Sequence, residues 1–169
     1  MRRILAIDPG STSTKLAITR SPHGPADADT PAEVEAQASL PVTPDQSADY
    51  AGRLRAVTAW LATQDARLAA LDAVVGRGGL LRPIPGGTYA VSDAMLADLR
   101  AGVRGDHPAN LGGLLARAVA DPRGVPAFVV DPVSTDEFAP VSRVSGLADL
   151  RRVSLLHALN VRAVARRDC

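Results

Sequence analysis

The 169-residue chain contains a single cysteine, Cys169, so no disulfide can form within it. Aromatic residues make up only 3% of the sequence against 46% for apolar residues, which predicts a core of alanine, valine and leucine. No run of 18 apolar residues occurs, and the net charge is only +1. These absences predict no membrane span and disfavour a nucleic-acid surface that depends on bulk positive charge. We therefore expect one cytoplasmic domain of ordinary size.

Two common phosphate-binding patterns, GxxxxGK[ST] and GxGxxG, are also absent. Residues 4–18 instead place two apolar stretches around a loop with one acid, four successive hydroxyl residues and the only lysine of the chain, Lys15. The apolar stretches predict two buried strands, joined by a tight turn in which hydroxyl and N–H groups converge. Such a concavity suits phosphate, and Asp8 at the strand end suits Mg²⁺. A plain β-hairpin is the alternative.

Strand-like and helix-like segments alternate along the chain, which predicts an α/β fold with a largely buried sheet. The predicted strands are 4–7, 15–19, 34–40, 73–76 and 127–131, and the predicted helices are 49–71, 92–100, 110–120 and 153–167. Asp8, Arg77 and Asp131 each follow a predicted strand. Because ligands of such sheets bind outside the carboxyl ends of strands, we expect these three side chains to share a site.

Two segments have residues suited to an anion. Glycines on both sides of Arg77 would let a ligand approach while the guanidinium binds an oxyanion in bidentate fashion, although a flexible turn with a solvated arginine fits equally well. His107 precedes a predicted helix, whose N-terminus favours a phosphoryl group. The alternative, which this segment alone favours, is that Asn110 caps the helix and His107 is a surface residue.

Asp131 and His157 also have structural alternatives. Asp131 would bind Mg²⁺ or orient an arginine, but taken alone it is better explained as a cap for the turn that follows. His157 lies in an apolar helical stretch, where a hydrogen-bonded core residue and a site residue are equally consistent with the pattern.

Six segments occur in the order found in butyrate kinases. They are residues 8–15, 75–81, 85–89, 107–112, 129–133 and 157–160. From Met1 to about Arg167 the sequence resembles that family, which belongs to the acetate kinase branch of the actin-like ATPase superfamily; only the loop from Ser21 to Ala48 has little resemblance. The resemblance implies an α/β fold, an actin-like ATPase (ribonuclease H-like) lobe with a mixed sheet flanked by helices.

The resemblance also implies roles for individual residues. The residues implied to bind ATP and its Mg²⁺ are Asp8, Gly10, Ser11, Thr12, Ser13 and Lys15. Arg77 would bind the acyl carboxylate, and His107 would bond to the phosphoryl group during transfer. Asp131 would orient the metal or the arginine, and His157 would add a donor at the transition state. The implied metal ligands are Asp8 and Asp131, although acid kinases usually carry asparagine at position 8.

The implied reaction converts ATP and butanoate into ADP and butanoyl phosphate by direct in-line attack of the carboxylate. A carboxylate is ionised at neutral pH and needs no general base, so catalysis depends on positioning and on stabilising charge. The implied partners are ATP and butyrate or a similar small acid, with no nucleic acid and no membrane. A homo-oligomer is implied for the full-length form.

The chain has about half the length of a typical family member. We therefore expect residues 1–169 to form the N-terminal lobe, with the C-terminal lobe absent from this chain, and we expect little or no turnover from it. One alternative is a non-catalytic half-kinase that binds phosphate or pairs with a separate second lobe. Another is a kinase for acetate, propionate or a branched acid, since one methylene changes affinity by only about 1–3 kcal/mol.

Overall fold

A computed structural model describes residues 1–21, 31–43, 45, 49–155, 161 and 164–166. Within these residues one mixed sheet contains β1 (Arg2–Pro9), β2 (Ser13–Ser21), β3 (Glu33–Pro41), β4 (Ala73–Arg77), β5 (Thr88–Ala90) and β6 (Ala127–Val130). The helices are α1 (Tyr50–Ala62), α2 (Asp65–Leu68), α3 (Asp93–Ala101) and α4 (Leu111–Ala120). The mixed sheet and its helices confirm the predicted α/β class. None of the described helices is long and apolar enough to cross a membrane.

The strand order β3-β2-β1-β4-β6-β5 places three parallel strands at the centre of the sheet. β4 pairs in parallel with β1 on one side and with β6 on the other. The other pairings, β1 with β2, β2 with β3 and β5 with β6, are antiparallel. The carboxyl ends of β1, β4 and β6 therefore meet at one edge, where Asp8, Arg77 and Asp131 were predicted to lie.

The hydrophobic core occupies one face of the sheet. Its strand residues alternate in sequence, as in Leu5 and Ile7 of β1, and they contact apolar residues of α1, α3 and α4. Side chains that alternate with these, such as Asp8 and Lys15, lie on the opposite face. On that face the Asp8 side chain is 44% exposed and Lys15 is exposed, so these polar groups at the carboxyl edge are accessible.

The close approach of β4 and α4 depends on two glycines. A Cβ added to Gly76 would lie 2.1 Å from the carbonyl oxygen of Gly112, and one added to Gly112 would lie 2.0 Å from the carbonyl oxygen of Arg77. Real Cβ atoms do not approach oxygen this closely. The strand that carries Arg77 is therefore in direct backbone contact with the first turn of α4.

The predicted single helix over 49–71 is wrong in its second half. α1 begins where predicted, because the Asp49 side chain accepts a hydrogen bond from the Gly52 N–H at 2.9 Å. It ends at Ala62, and the hydroxyl of Thr63 donates to the Trp60 carbonyl at 2.7 Å. A threonine hydroxyl that bonds to the preceding turn competes with helix propagation, and the short helix α2 follows.

Other boundaries vary in how well the sequence predicted them. α3 is confirmed with both of its caps, the Ser92 hydroxyl at its start and Gly102 in the left-handed conformation at its end. β5 was not predicted. The predicted helix over 153–167 is wrong at its start, because residues 153–155 are not helical, whereas Val161 and residues 164–166 are. His157 lies outside the described residues.

Candidate functional site

An ion pair joins the carboxyl ends of β1 and β4. Arg77 Nη1 donates to Asp8 Oδ1 at 3.2 Å, across 69 residues of sequence. The Arg77 and Asp8 side chains are 45% and 44% exposed, so both remain accessible to a ligand. The fold thus brings together two of the three strand-end residues that the sequence predicted to share a site.

The turn between β1 and β2, residues 10–13, is named the opening turn. The Gly10 N–H donates to the Ser13 carbonyl at 2.8 Å, which closes it. The side chains of Ser11 and Thr12 are exposed. Among the described residues, the N–H groups of Ser11 and Thr12 have no hydrogen-bond acceptor. Free donors in a tight turn beside a strand-end acid are what a phosphate group requires.

Lys15 lies next to Asp8 on the open face of the sheet. The two residues are directly opposite each other in the β1–β2 pairing, and both line a cleft of about 520 Å³ that also includes Gln37 and Ser39. Lys15 is therefore close to the opening turn, as predicted, but its ammonium group belongs to the sheet surface rather than to the turn itself.

His107 is half-buried just before a 3-10 turn, Pro108–Asn110, that leads into α4. Its Nδ1 accepts a hydrogen bond from the Ala109 N–H at 3.1 Å. In the neutral ring the proton is then on Nε2, which leaves Nε2 as a donor. Burial lowers the pKa of His107, and the charge of Arg77 lowers it further, so the neutral form is favoured.

Asn110 does not cap α4, contrary to the alternative that the sequence alone favoured. Its side chain is buried and makes no capping hydrogen bond. Instead Asn110 Oδ1 accepts from the Leu80 N–H at 2.8 Å, and Nδ2 donates to the Gly105 carbonyl at 2.9 Å. Asn110 thus ties the loop after Arg77 to the loop before His107, a role that sequence reasoning missed.

Asp131 follows β6 at the same edge of the sheet and adopts a positive φ of 43°. Its Oδ1 accepts from the Gly87 N–H at 2.7 Å, and its own N–H donates to the Gly87 carbonyl at 2.9 Å. The neighbouring Gly86 N–H donates to Glu137 at 2.8 Å. Asp131 therefore holds the turn before β5 in place, and its predicted contact with a metal stays a prediction.

The donor set at the edge fits Mg²⁺ bound together with phosphate. Mg²⁺ in such sites takes one or two carboxylates and completes its shell with water and phosphate oxygens. Asp8 supplies an accessible carboxylate beside the hydroxyl groups of the opening turn. In the part of the chain that the structure describes, no three His, Cys, Asp or Glu side chains form a cluster, so phosphate oxygens would complete the shell.

Sequence reasoning also missed Arg53, which bonds to the opening turn from beneath. It is 3% exposed, on the same face of α1 as the buried Val57 and Leu61. An arginine at a core-facing position of an amphipathic helix was the available signal, since buried charged groups need polar partners.

We expect the titration midpoint of His107 to lie below 6.5, the ordinary value for histidine. Replacing Arg77 with methionine should raise this pKa only part of the way, because burial is the larger cause. Because the pKa of His107 is lower in the folded wild-type chain than in the unfolded one, the unfolded chain binds more protons between the two values. The free energy of unfolding therefore falls as the pH drops from about 6.5 to the folded pKa, and His107 causes no further loss below that pH. NMR titration of the imidazole ring protons measures the pKa, with His107→Gln to assign the signal.

Arg82→Met is the control for that titration. Arg82 pairs with Asp98 at 2.7 Å and is not among the causes of the His107 shift, so its loss should leave the midpoint unchanged. A wild-type midpoint at or above 6.5 would contradict the prediction.

Comparison with known proteins extends these observations. No family model matches the chain. The chain is 44% identical over 167 residues to Probable butyrate kinase 2 of Caldanaerobacter subterraneus subsp. tengcongensis, a match that covers 99% of this chain and 46% of that protein. The chain thus spans about half the length of this relative.

Solved acetate and propionate kinases have the same fold. The acetate kinase of Porphyromonas gingivalis matches 100% of this chain and 48% of its own, with a TM-score of 0.62 and 17% identity. The match to the acetate kinase of Entamoeba histolytica covers 98% of this chain and 45% of that protein, with a TM-score of 0.58 and 11% identity. The match to a propionate kinase from Francisella tularensis covers 99% of this chain and 48% of that protein, with a TM-score of 0.51 and 17% identity.

The predicted actin-like ATPase fold is thereby confirmed. The 44% identity to a butyrate kinase over 99% of this chain and the fold shared with acetate and propionate kinases agree with each other, and both agree with the resemblance to the acetate kinase family found in the sequence.

Proposed function

We propose that residues 1–169 form one lobe of a carboxylate kinase that transfers the γ-phosphoryl group of ATP to butyrate or a closely related acid. The contact of Asp8 with Arg77 at 3.2 Å carries this proposal. It puts an accessible guanidinium against the acid that stands two residues before the opening turn, in a chain 44% identical to Probable butyrate kinase 2. One group suited to a carboxylate and one suited to phosphates therefore lie at the ends of neighbouring strands.

In the proposed reaction a carboxylate oxygen of the acid attacks the γ-phosphorus. The bond from that phosphorus to the bridging oxygen breaks, ADP leaves with the electron pair, and an acyl phosphate forms. The acid is already ionised at neutral pH, so this edge of the sheet needs no base. It needs donors in fixed positions for charge that spreads over the phosphoryl oxygens.

Each group at the edge has a part in this proposal. Arg77 binds and orients the carboxylate through its fork of N–H donors. The N–H and hydroxyl groups of the opening turn bind phosphate oxygens, with Lys15 nearby on the sheet face. Neutral His107 donates from Nε2 to the phosphoryl group, consistent with its lowered pKa. Asp8, with Asp131 as the second predicted carboxylate, would hold Mg²⁺, which supplies positive charge to the phosphates.

Titration of the ¹⁵N-labelled chain tests the proposal. Mg–ATP is expected to shift the amide signals of Ser11, Thr12 and Ser13, and butyrate those of Gly78 and Gly79. Sodium chloride at matched ionic strength is the control and should shift neither set. Parallel titrations with acetate and propionate show how the affinity depends on the length of the acid.

Acyl phosphate production, trapped as the hydroxamate, completes the experiment. We expect little or no turnover from the 169 residues alone, because the reaction requires a second surface to enclose the nucleotide. Failure of both ligands to shift their amides would refute the proposed function, and turnover at ordinary kinase rates of 1–100 s⁻¹ or so would refute the single-lobe assignment.

A further inference from the structure

Arg53 is a charged residue in a core-facing position. It lies in the first turn of α1 and is 3% exposed, in line with the buried Val57 and Leu61. Burial lowers the pKa of Arg53, and the nearby Asp49 opposes that effect, but a guanidinium remains protonated at neutral pH. Burying such a group is costly unless its donors are hydrogen-bonded, and two of the Arg53 donors are bonded on either side of the opening turn.

The two ends of the Arg53 fork bond to both sides of the opening turn. Nη1 donates to the buried Thr14 hydroxyl at 2.8 Å, just after the turn. Nη2 donates to the Gly10 carbonyl at 2.7 Å, at its first residue. A planar guanidinium holds two acceptors in a fixed relation, so these bonds set the distance between the two limbs of the turn.

Two backbone hydrogen bonds brace the turn further. A 2.8 Å bond from the Gly10 N–H to the Ser13 carbonyl closes the turn, and the Val42 N–H donates to the Thr12 carbonyl at 2.8 Å. These bonds, with the one from Arg53 to the Gly10 carbonyl, fix the Gly10–Ser11 and Thr12–Ser13 peptides. Because a trans peptide directs its N–H opposite to its carbonyl, the Ser11 N–H points away from Arg53. Within the part of the chain that the structure describes, the N–H groups of Ser11 and Thr12 are then the donors left for a ligand.

We propose that Arg53 is a positioning residue, which holds the opening turn in the conformation that binds the phosphates of a nucleotide and places a positive charge beneath it. The phosphate part rests on the proposed function. The guanidinium acts through the turn and does not touch the ligand, since it contacts the turn from the covered side of the sheet. A phosphate-binding turn that is fixed in advance loses less entropy when its ligand binds.

Hydrogen exchange of the backbone amides tests the positioning. In Arg53→Met the Gly10 amide is expected to exchange roughly tenfold faster or more than in the wild type, since two hydrogen bonds to a charged group are lost. Amides of β4 and β6 in the same sample serve as the internal reference. Thr14→Val removes one acceptor with little change in shape and should give a smaller, turn-specific increase. Arg55→Met, an exposed neighbour on the same helix, should leave exchange unchanged.

Titration with inorganic pyrophosphate tests the link to ligand binding. Arg53→Met should lower the affinity for pyrophosphate, measured from the shifts of the Ser11 and Thr12 amides, by about tenfold. Arg53→Lys retains the charge but not the fork, so it should restore only part of the affinity. Millimolar guanidinium ion added to Arg53→Ala should restore both turn protection and affinity, a rescue expected if the guanidinium hydrogen bonds hold the turn and not if packing of the aliphatic chain does.

The outcomes separate the two proposals. If exchange in the turn of Arg53→Met rises no more than exchange in β4 and β6, the positioning role is overturned. If Arg53→Met does not fold, the same comparison in Thr14→Val decides the question. If the wild-type chain does not respond to pyrophosphate or Mg–ATP, the phosphate-binding function fails, whereas turn-specific exchange still decides whether Arg53 holds the turn.

Discussion

Replacing Arg77 with methionine is expected to weaken the binding of butyrate by roughly 10²- to 10⁴-fold, because two charge-assisted hydrogen bonds of about 1.5–3 kcal/mol each are lost. Folding stability should change by no more than about 1 kcal/mol, since the ion pair with Asp8 is nearly half exposed and such pairs contribute little. Amide shifts of Gly78 and Gly79 during butyrate titration measure the first quantity, and thermal unfolding measures the second.

Two variants serve as controls for this prediction. Arg77→Lys keeps the charge but not the bidentate geometry, and should recover only part of the affinity. Arg82→Met removes another exposed arginine, which is paired with Asp98, and should bind butyrate as the wild type does. Unchanged butyrate affinity in Arg77→Met would contradict the role assigned to Arg77.

Replacing Gly112 with alanine is expected to destabilise the fold by about 3 kcal/mol, at the upper end of the usual cost of overpacking. The added Cβ would lie 2.0 Å from the Arg77 carbonyl oxygen, and a backbone carbonyl in a paired strand cannot rotate away. The gain in helix propensity, about 1 kcal/mol, offsets only part of the clash. A fall in melting temperature of about 6–12 °C should result for a domain of this size.

Gly146→Ala is the matched control, because a Cβ there would have no atom within 4 Å. Its melting temperature should stay close to that of the wild type. If Gly112→Ala unfolds at the wild-type temperature, β4 and α4 are not in the close contact described above.

Local signals account for the parts of the fold that the sequence predicted well. α3 was predicted with both ends because Ser92 and Gly102 are strong capping residues whose effect is independent of the rest of the chain. The β1–β2 pair was predicted from its apolar stretches and the turn between them. The meeting of Asp8 and Arg77 followed from a general rule about parallel sheets rather than from either residue alone.

The features that were missed depend on contacts between distant segments. The side chain of Asn110 bonds to Leu80, 30 residues away, so a capping role inferred from its neighbours was wrong. Arg53 reaches Gly10 across 43 residues, and a helix pattern alone does not reveal its partner. β5 has three residues and exists only because β6 offers it an edge.

The glycine contact between β4 and α4 restricts how the proposed site can change to accept a different acid. Arg77 ends the strand, and His107 lies just before the turn that leads into the helix, so both are carried by one locked strand–helix unit. Neither could be shifted toward a bulkier acid without displacing the other. Acceptance of acids of different size would have to arise from residues that lie opposite the β4–α4 unit. Mutant libraries designed to change the preferred length of the acid should therefore leave Gly76 and Gly112 unchanged.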